Sequence, residues 1–258
     1  MIKKFSSILV VVSLLHAPLG GILQKRTSEI APNSLYSIKQ DLSAIDKAVS
    51  KVVNNDPVHT NWTMAYGRDI WKQNTFNKDI ERAVKVWDKL DPLIFKSLMA
   101  QESGFRTSRT NRYGYTGIVQ LGETEAREAG LVVRNGCDQR KTPYYAIPAA
   151  AKLLKQKAMH LYQHGFAKYG MPVGDEYWKF VAAAYNAGEG TIVKAMNHAY
   201  GNVKPGEVRF DDLINTKTGN PWDSALVKAM PRSWKKVAKY KEISTYARDV
   251  VARARQNT

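Results

Sequence analysis

The segment from Asp91 to Gly104 is punctuated as a helix at both ends. Asp91 is a capping residue, and Pro92 follows at the first helical position. Gly104 supplies the stop as a C-cap glycine. Between them the chain reads LIFKSLMAQES. Phe95, Leu98 and Glu102 lie three and four residues apart, so a helix places them on one face. Glu102 then sits on the apolar side, in the last turn, at the negative end of the helix dipole. Both placements disfavour the carboxylate and raise its pKa. An acid neutral at about pH 6–7 is what a glycosidase needs to protonate a leaving oxygen. A glutamate at the stripe's edge that turns out to solvent is the plainer reading of this segment alone. The rest of the chain has to decide between the two.

Helical periodicity recurs along the chain. Helices are expected at about 77–90, 122–129, 144–164, 175–187, 190–199 and 241–255, with no run of strand alternation. The expected fold class is therefore mostly α. The 258 residues suit one domain of about 150–170 residues with an extension. The start of the chain reads as a secretory signal: Lys3 and Lys4, then an apolar stretch from about Phe5 to Leu15. Residues 1–21 are assigned to it, with cleavage somewhere in 17–24. Residues 22–83 form an N-terminal helical extension, and 84–258 form the main domain. No apolar run reaches the roughly 18–20 residues of a membrane-crossing helix, so no span is expected after signal removal. The expected location is the periplasm or cell envelope.

Within the extension, Leu35, Ile38, Leu42, Ile45, Val49 and Val52 form a helical stripe over 34–53. That stripe either packs on the main domain or docks an envelope or secretion-machinery protein. Residues 54–61, with Pro57, read as a linker.

The net charge of +16 attracts anionic polymers. Nucleic acid is one such polymer, but no nucleic-acid motif is present and export argues against it. Cell-wall carboxylates and phosphates are the other. The single cysteine, Cys137, cannot form an internal disulfide. The five histidines show no metal-ligand spacing beyond His160 and His164, four apart without a third ligand. No metal and no cofactor are expected.

Two further segments bear on Glu102. Residues 112–121, RYGYTGIVQL, are rich in glycine and aromatics, which predicts a loop or tight turn that brings Gln120 to a ligand. Residues 182–190, AAAYNAGEG, end a helix in glycine, with Tyr185 and Asn186 at its C-terminus. Acid, amide and aromatic ring together are what a sugar site uses.

These segments resemble the soluble lytic transglycosylase family. The resemblance is carried by Glu102-Ser103-Gly104-Phe105, then Gly114, then Gly117-Ile118-Val119-Gln120, then Ala184-Tyr185-Asn186-Ala187-Gly188. The order matches the family, and so does the spacing from glutamate to glutamine. A fourth segment, EISTYARDV over 242–250, is similar to the family's closing helix. The likeness covers about 84–254.

The resemblance implies a lysozyme-like helical domain acting on peptidoglycan glycan strands, with no obligatory second catalytic carboxylate. Glu102 would be the general acid and base. Ser103 would position it or the substrate's acetamido group. Gln120, Tyr185 and Asn186 would bind the glycan, and Tyr246 would line the glutamate's surroundings.

There are departures from the family pattern. Ile118-Val119 stand where it has Leu-Met, Asn111 where it often has serine, and Gly122-Glu123 where it has Met-Pro. The last bears on the start of the following helix. Tyr113, Tyr115, Tyr144, Tyr145, Trp178 and Trp222 are candidates to stack on sugar rings, with most expected in the core or at the rim. Glu123, Glu125 and Glu189 lie close to the motifs and read as surface charges. A hydrolytic muramidase on the same fold and a non-catalytic wall-binding component are the competing readings.

Overall fold

A computed structural model describes residues 74–216 and 218–256. The signal segment and the 34–53 stripe lie outside the described residues. The described fold is mostly helical. Its helices are α1 (Asn77–Val86), α2 (Pro92–Ser103), α3 (Glu123–Glu128), α4 (Pro143–Leu161), α5 (Asp175–Ala187), α6 (Glu189–Tyr200), α7 (Phe210–Ile214), α8 (Ala225–Ala229) and α9 (Lys236–Arg255). One small antiparallel hairpin, β1 (Val133–Arg134) with β2 (Cys137–Asp138), interrupts them. Among the described residues, no helix is long and apolar enough to cross a membrane.

The punctuation of α2 works as its sequence suggests. The Asp91 carboxylate accepts from the Leu93 and Ile94 N–H groups at 2.8 and 3.2 Å, and Gly104 closes the helix in the left-handed conformation at φ +61°. The burial differs from a one-sided stripe. Every residue from Pro92 to Ala100 is buried, so α2 is the central rod of the domain rather than a helix with a wet face. Lys96 is drawn in with the rest, its Nζ donating to Asn77 Oδ1 at 3.2 Å.

Helix α9 packs along α2 and α5. It buries Ile243, Tyr246, Ala247, Val250, Val251 and Ala254, a three-and-four repeat that fixes which face it presents. At its far end Arg255 bonds Asp91 Oδ2 at 2.8 Å and Asp175 Oδ1 at 2.8 Å. The start of α2, the start of α5 and the end of α9 are thereby tied to one guanidinium.

Three elements escaped the periodicity reading. The hairpin has strands too short to alternate, yet its turn is Asn135-Gly136, with Gly136 at φ +76°, the dipeptide that favours tight hairpins. Helices α7 and α8 have five residues each, too few for a repeat to show. Of the two, α8 carries a local signal: Ser224 Oγ accepts from Val227 N–H at 3.2 Å as an N-cap. Helix α9 also begins at Lys236, earlier than 241, with no side-chain cap at its start.

Candidate active site

Glu102 stands in the last turn of α2, where the rod meets the loop of residues 105–121. Its carboxylate Oε1 accepts a 2.5 Å hydrogen bond from the Tyr246 hydroxyl of α9. Burial is the largest influence on the acid and pushes its pKa up. The Tyr246 bond, then Lys239 and Arg109, pull it down, and Glu242 pushes it up again. Burial wins, and the pKa rises from 4.5 to about 7. Burial also lifts the Tyr246 phenol well above its ordinary value, with Glu102 adding to the effect. Tyr246 therefore stays a neutral donor at every relevant pH.

The loop is built to meet this acid. Ser103 is fully buried, and its hydroxyl donates to the Ile118 carbonyl at 2.7 Å, stitching the end of α2 to the Gly117–Gln120 turn. Gly117 has φ +87°, and a Cβ there would lie 1.8 Å from the Arg140 carbonyl oxygen, so only glycine fits. Gln120 is a non-glycine residue at φ +49°, a strained conformation. Its amide nitrogen holds that conformation by donating to the Gly117 and Arg109 carbonyls at 2.8 and 3.0 Å. Asn111 folds the tip of the loop, its Oδ1 accepting from the Tyr113 and Tyr115 N–H groups. Arg109 Nη1 donates to the Glu102 carbonyl at 3.1 Å, a cation on the exposed carbonyl end of α2.

From α5, the Tyr185 hydroxyl donates to the Val119 carbonyl at 2.8 Å, and burial raises its pKa well above the ordinary value. Asn186, the next residue, bonds Glu242 and Lys239 of α9. Glu102 is thus framed by its own helix, the 105–121 loop and α9, and it acts electrostatically on Tyr185 of α5. Of the residues anticipated to bind glycan, Ser103, Gln120 and Tyr185 all make internal hydrogen bonds that set the loop. Lys239 and Arg109, the cations that act on Glu102, were not anticipated. A lysine three residues before Glu242 on a helix was the available signal.

The departure at Gly122-Glu123 does not prevent the next helix. Helix α3 begins at Glu123, and the Glu125 carboxylate turns back to accept from the Gly122 N–H at 3.4 Å. Glu123 pairs with Arg127 on the surface. Glu125 and Glu189 do not read as free surface charges: both pair with the buried Lys157, at 3.4 and 3.0 Å. Among the aromatics, Trp178 is a core residue, packed on Trp87 and Tyr177. Tyr113, Tyr115, Tyr144, Tyr145 and Trp222 are exposed.

The described domain is mostly helical and lysozyme-like, with Glu102, its pKa raised to about 7, at the end of its buried central helix. The family model of the transglycosylase SLT domain matches residues 80–205. Over those residues the chain is similar to the SLT family. The match spans Glu102, Ser103, Gln120, Tyr185 and Asn186 and stops short of Glu242 and Tyr246. At family level this assigns a lytic transglycosylase-type function acting on peptidoglycan, which implies an exported protein. No curated protein and no solved structure gives a significant match.

Proposed function

We propose that the chain is a peptidoglycan lytic transglycosylase that cleaves the β-1,4 bond between N-acetylmuramic acid and N-acetylglucosamine. Glu102 serves as acid in the first step and as base in the second. The observation that carries this reading is an acid near pKa 7 whose hydrogen-bond partner is a phenol rather than a cation. An inverting glycosidase needs a second carboxylate to activate water, and a retaining one usually needs a carboxylate nucleophile. Glu242, the other acid that acts on Glu102, is engaged by Lys239 and Asn186.

The chemistry then follows from the proton on Glu102. The neutral acid protonates the leaving glycosidic oxygen. The acetamido carbonyl of the substrate supplies the internal nucleophile at the neighbouring carbon. The carboxylate left on Glu102 takes the proton from the muramic acid 6-hydroxyl, whose oxygen attacks the same carbon, displaces the acetamido oxygen to restore the acetamide, and closes a 1,6-anhydro ring. Tyr246 stabilises the carboxylate between the two steps by its hydrogen bond. Residues 1–21 would direct export to the periplasm or cell envelope, and the 34–53 stripe would either pack on the main domain or dock an envelope partner.

Mass spectrometry of muropeptides released from purified sacculi tests the product. The released species should be lighter by about one water than hydrolytic products, because an internal hydroxyl is the acceptor. They should also lack a borohydride-reducible end. Label incorporated from water enriched in heavy oxygen, together with a reducible terminus, would make the enzyme a muramidase instead.

A further inference from the structure

Beside Glu102, three side chains form a closed set of contacts. Lys239 Nζ lies 3.1 Å from Asn186 Oδ1 and 2.6 Å from Glu242 Oε1. Asn186 Nδ2 donates to the same Glu242 oxygen at 3.1 Å. The Asn186 amide is therefore gripped at both ends, its oxygen by an ammonium and its nitrogen by a carboxylate. A flipped amide would set like against like at both contacts. Lys239 and Glu242 stand one turn apart on α9, while Asn186 is on the last turn of α5. Lys239 is mostly enclosed, at 22% side-chain exposure, with the Trp234 ring 5.6 Å from its ammonium.

We propose that Lys239 is a positioning residue of this enzyme: its ammonium fixes the orientation of the Asn186 amide and neutralises Glu242 beside the acid. This rests on the reading of Glu102 as acid and base. The charged and titratable groups that act on Glu102 are Tyr246, Lys239 and Glu242 from α9 and Arg109 from the loop after α2, while Glu102 itself raises the pKa of Tyr185 from α5. Lys239 and Glu242 act on Glu102 with opposite signs and cancel in part. Removing Lys239 takes away a cation and unmasks an anion, and both changes disfavour the carboxylate. The second step needs that carboxylate, so a site without Lys239 would hold its proton too tightly. The same loss frees Asn186 to turn about its last bond, with only Glu242 left to hold it.

The test is a carbon-13 NMR titration of the Glu102 carboxyl, which reads the acid without catalysis. It is paired with the pH profile of kcat/KM on sacculi. In Lys239→Met the Glu102 midpoint should rise by about half a pH unit, a partly screened version of a full charge effect. The basic limb of the rate profile should move with it. Glu242→Gln should move the midpoint the other way. Lys239→Arg keeps the charge and should hold the wild-type midpoint. KM should rise about three- to tenfold in Lys239→Met, the size of one hydrogen bond, and recover in Lys239→Arg. An unmoved midpoint in Lys239→Met overturns the proposal. Should that variant fail to fold by its melting curve, Lys239→Gln, which keeps a donor to Asn186 without the charge, is titrated on the same criterion. A wild type that releases no muropeptides refutes the reading of function, while the titration still decides the role of Lys239.

Discussion

Two partly buried acid sites in this domain solve the same problem in opposite ways. At Glu102 the carboxyl is desolvated and offered a phenol, and it keeps its proton up to about pH 7. At Glu189 burial also pushes the pKa up, but the Lys157 ammonium at 3.0 Å more than offsets it, and the group lies below the usual carboxylate range. Lys157 is held charged by Glu189 and Glu125 against its own burial. A neutral partner leaves the acid its proton, whereas a charged partner locks an ion pair. Each ion pair also joins motif-bearing segments: Lys157 links α3, after the Gln120 turn, to α6, after Asn186. Among the described residues, the carboxyl proposed to be catalytic is set apart by a phenol in place of a direct cation, rather than by burial alone.

The strongest way to break that comparison is Glu102→Gln. The amide keeps the shape and loses the transferable proton. Lysis of sacculi should fall by about 10³–10⁴-fold, the upper range for a general acid–base, because one residue serves both steps. Near wild-type lysis would sink the assignment. The same variant should gain stability at alkaline pH. The native pKa of about 7 exceeds the ordinary 4.5, so the fold binds this proton more tightly than the unfolded chain does. The stabilisation is complete below about pH 4.5 and is lost as pH rises through about 7. That gap corresponds to about 3 kcal/mol, which Glu102→Gln should recover at pH 9 and not at pH 4. Chemical denaturation at the two pH values decides it, and equal gains at both would refute the burial argument.

Lys157→Met probes the other site. The two carboxylates lose their cation but remain about one-third exposed. The expected loss is about 2 kcal/mol, below that of a fully buried pair. No loss of stability would mean that Lys157 does not tie these segments together. The smallest expected effect is Tyr246→Phe. It removes a bond to the carboxylate form, so the Glu102 pKa should rise and the basic limb of the rate profile should move to higher pH. Activity should fall about tenfold, the worth of one charge-assisted hydrogen bond. A limb that moves to lower pH would contradict the donor role of Tyr246.

Sequence reached furthest where the signal was local. Asp91-Pro92 and Gly104 bound α2 by capping chemistry that operates over four residues, and the observed helix obeys it. Asn135-Gly136 was an equally local signal that periodicity passed over. What stayed out of reach was set by long-range contact. The all-round burial of α2 depends on α9 wrapping it from the far end of the chain. The Tyr246 bond to Glu102 spans 144 residues, and the Lys239 bond to Asn186 spans 53. No spacing rule connects such positions. Tyr246 was placed near the acid through the family resemblance, which has no counterpart for Lys239.

The Arg255 junction has a mechanical consequence. Helix α2 has 12 residues and is about 18 Å long, with Asp91 at one end and Glu102 at the other. Arg255 grips the Asp91 end from the last turn of α9, the helix that also carries Tyr246. The acid and its phenol therefore ride on two struts pinned together at their distant ends. A tilt of one degree at the pin displaces the carboxylate by about 0.3 Å, given that length. The last turn of α9 thus acts as the fulcrum of a lever whose tip carries Glu102.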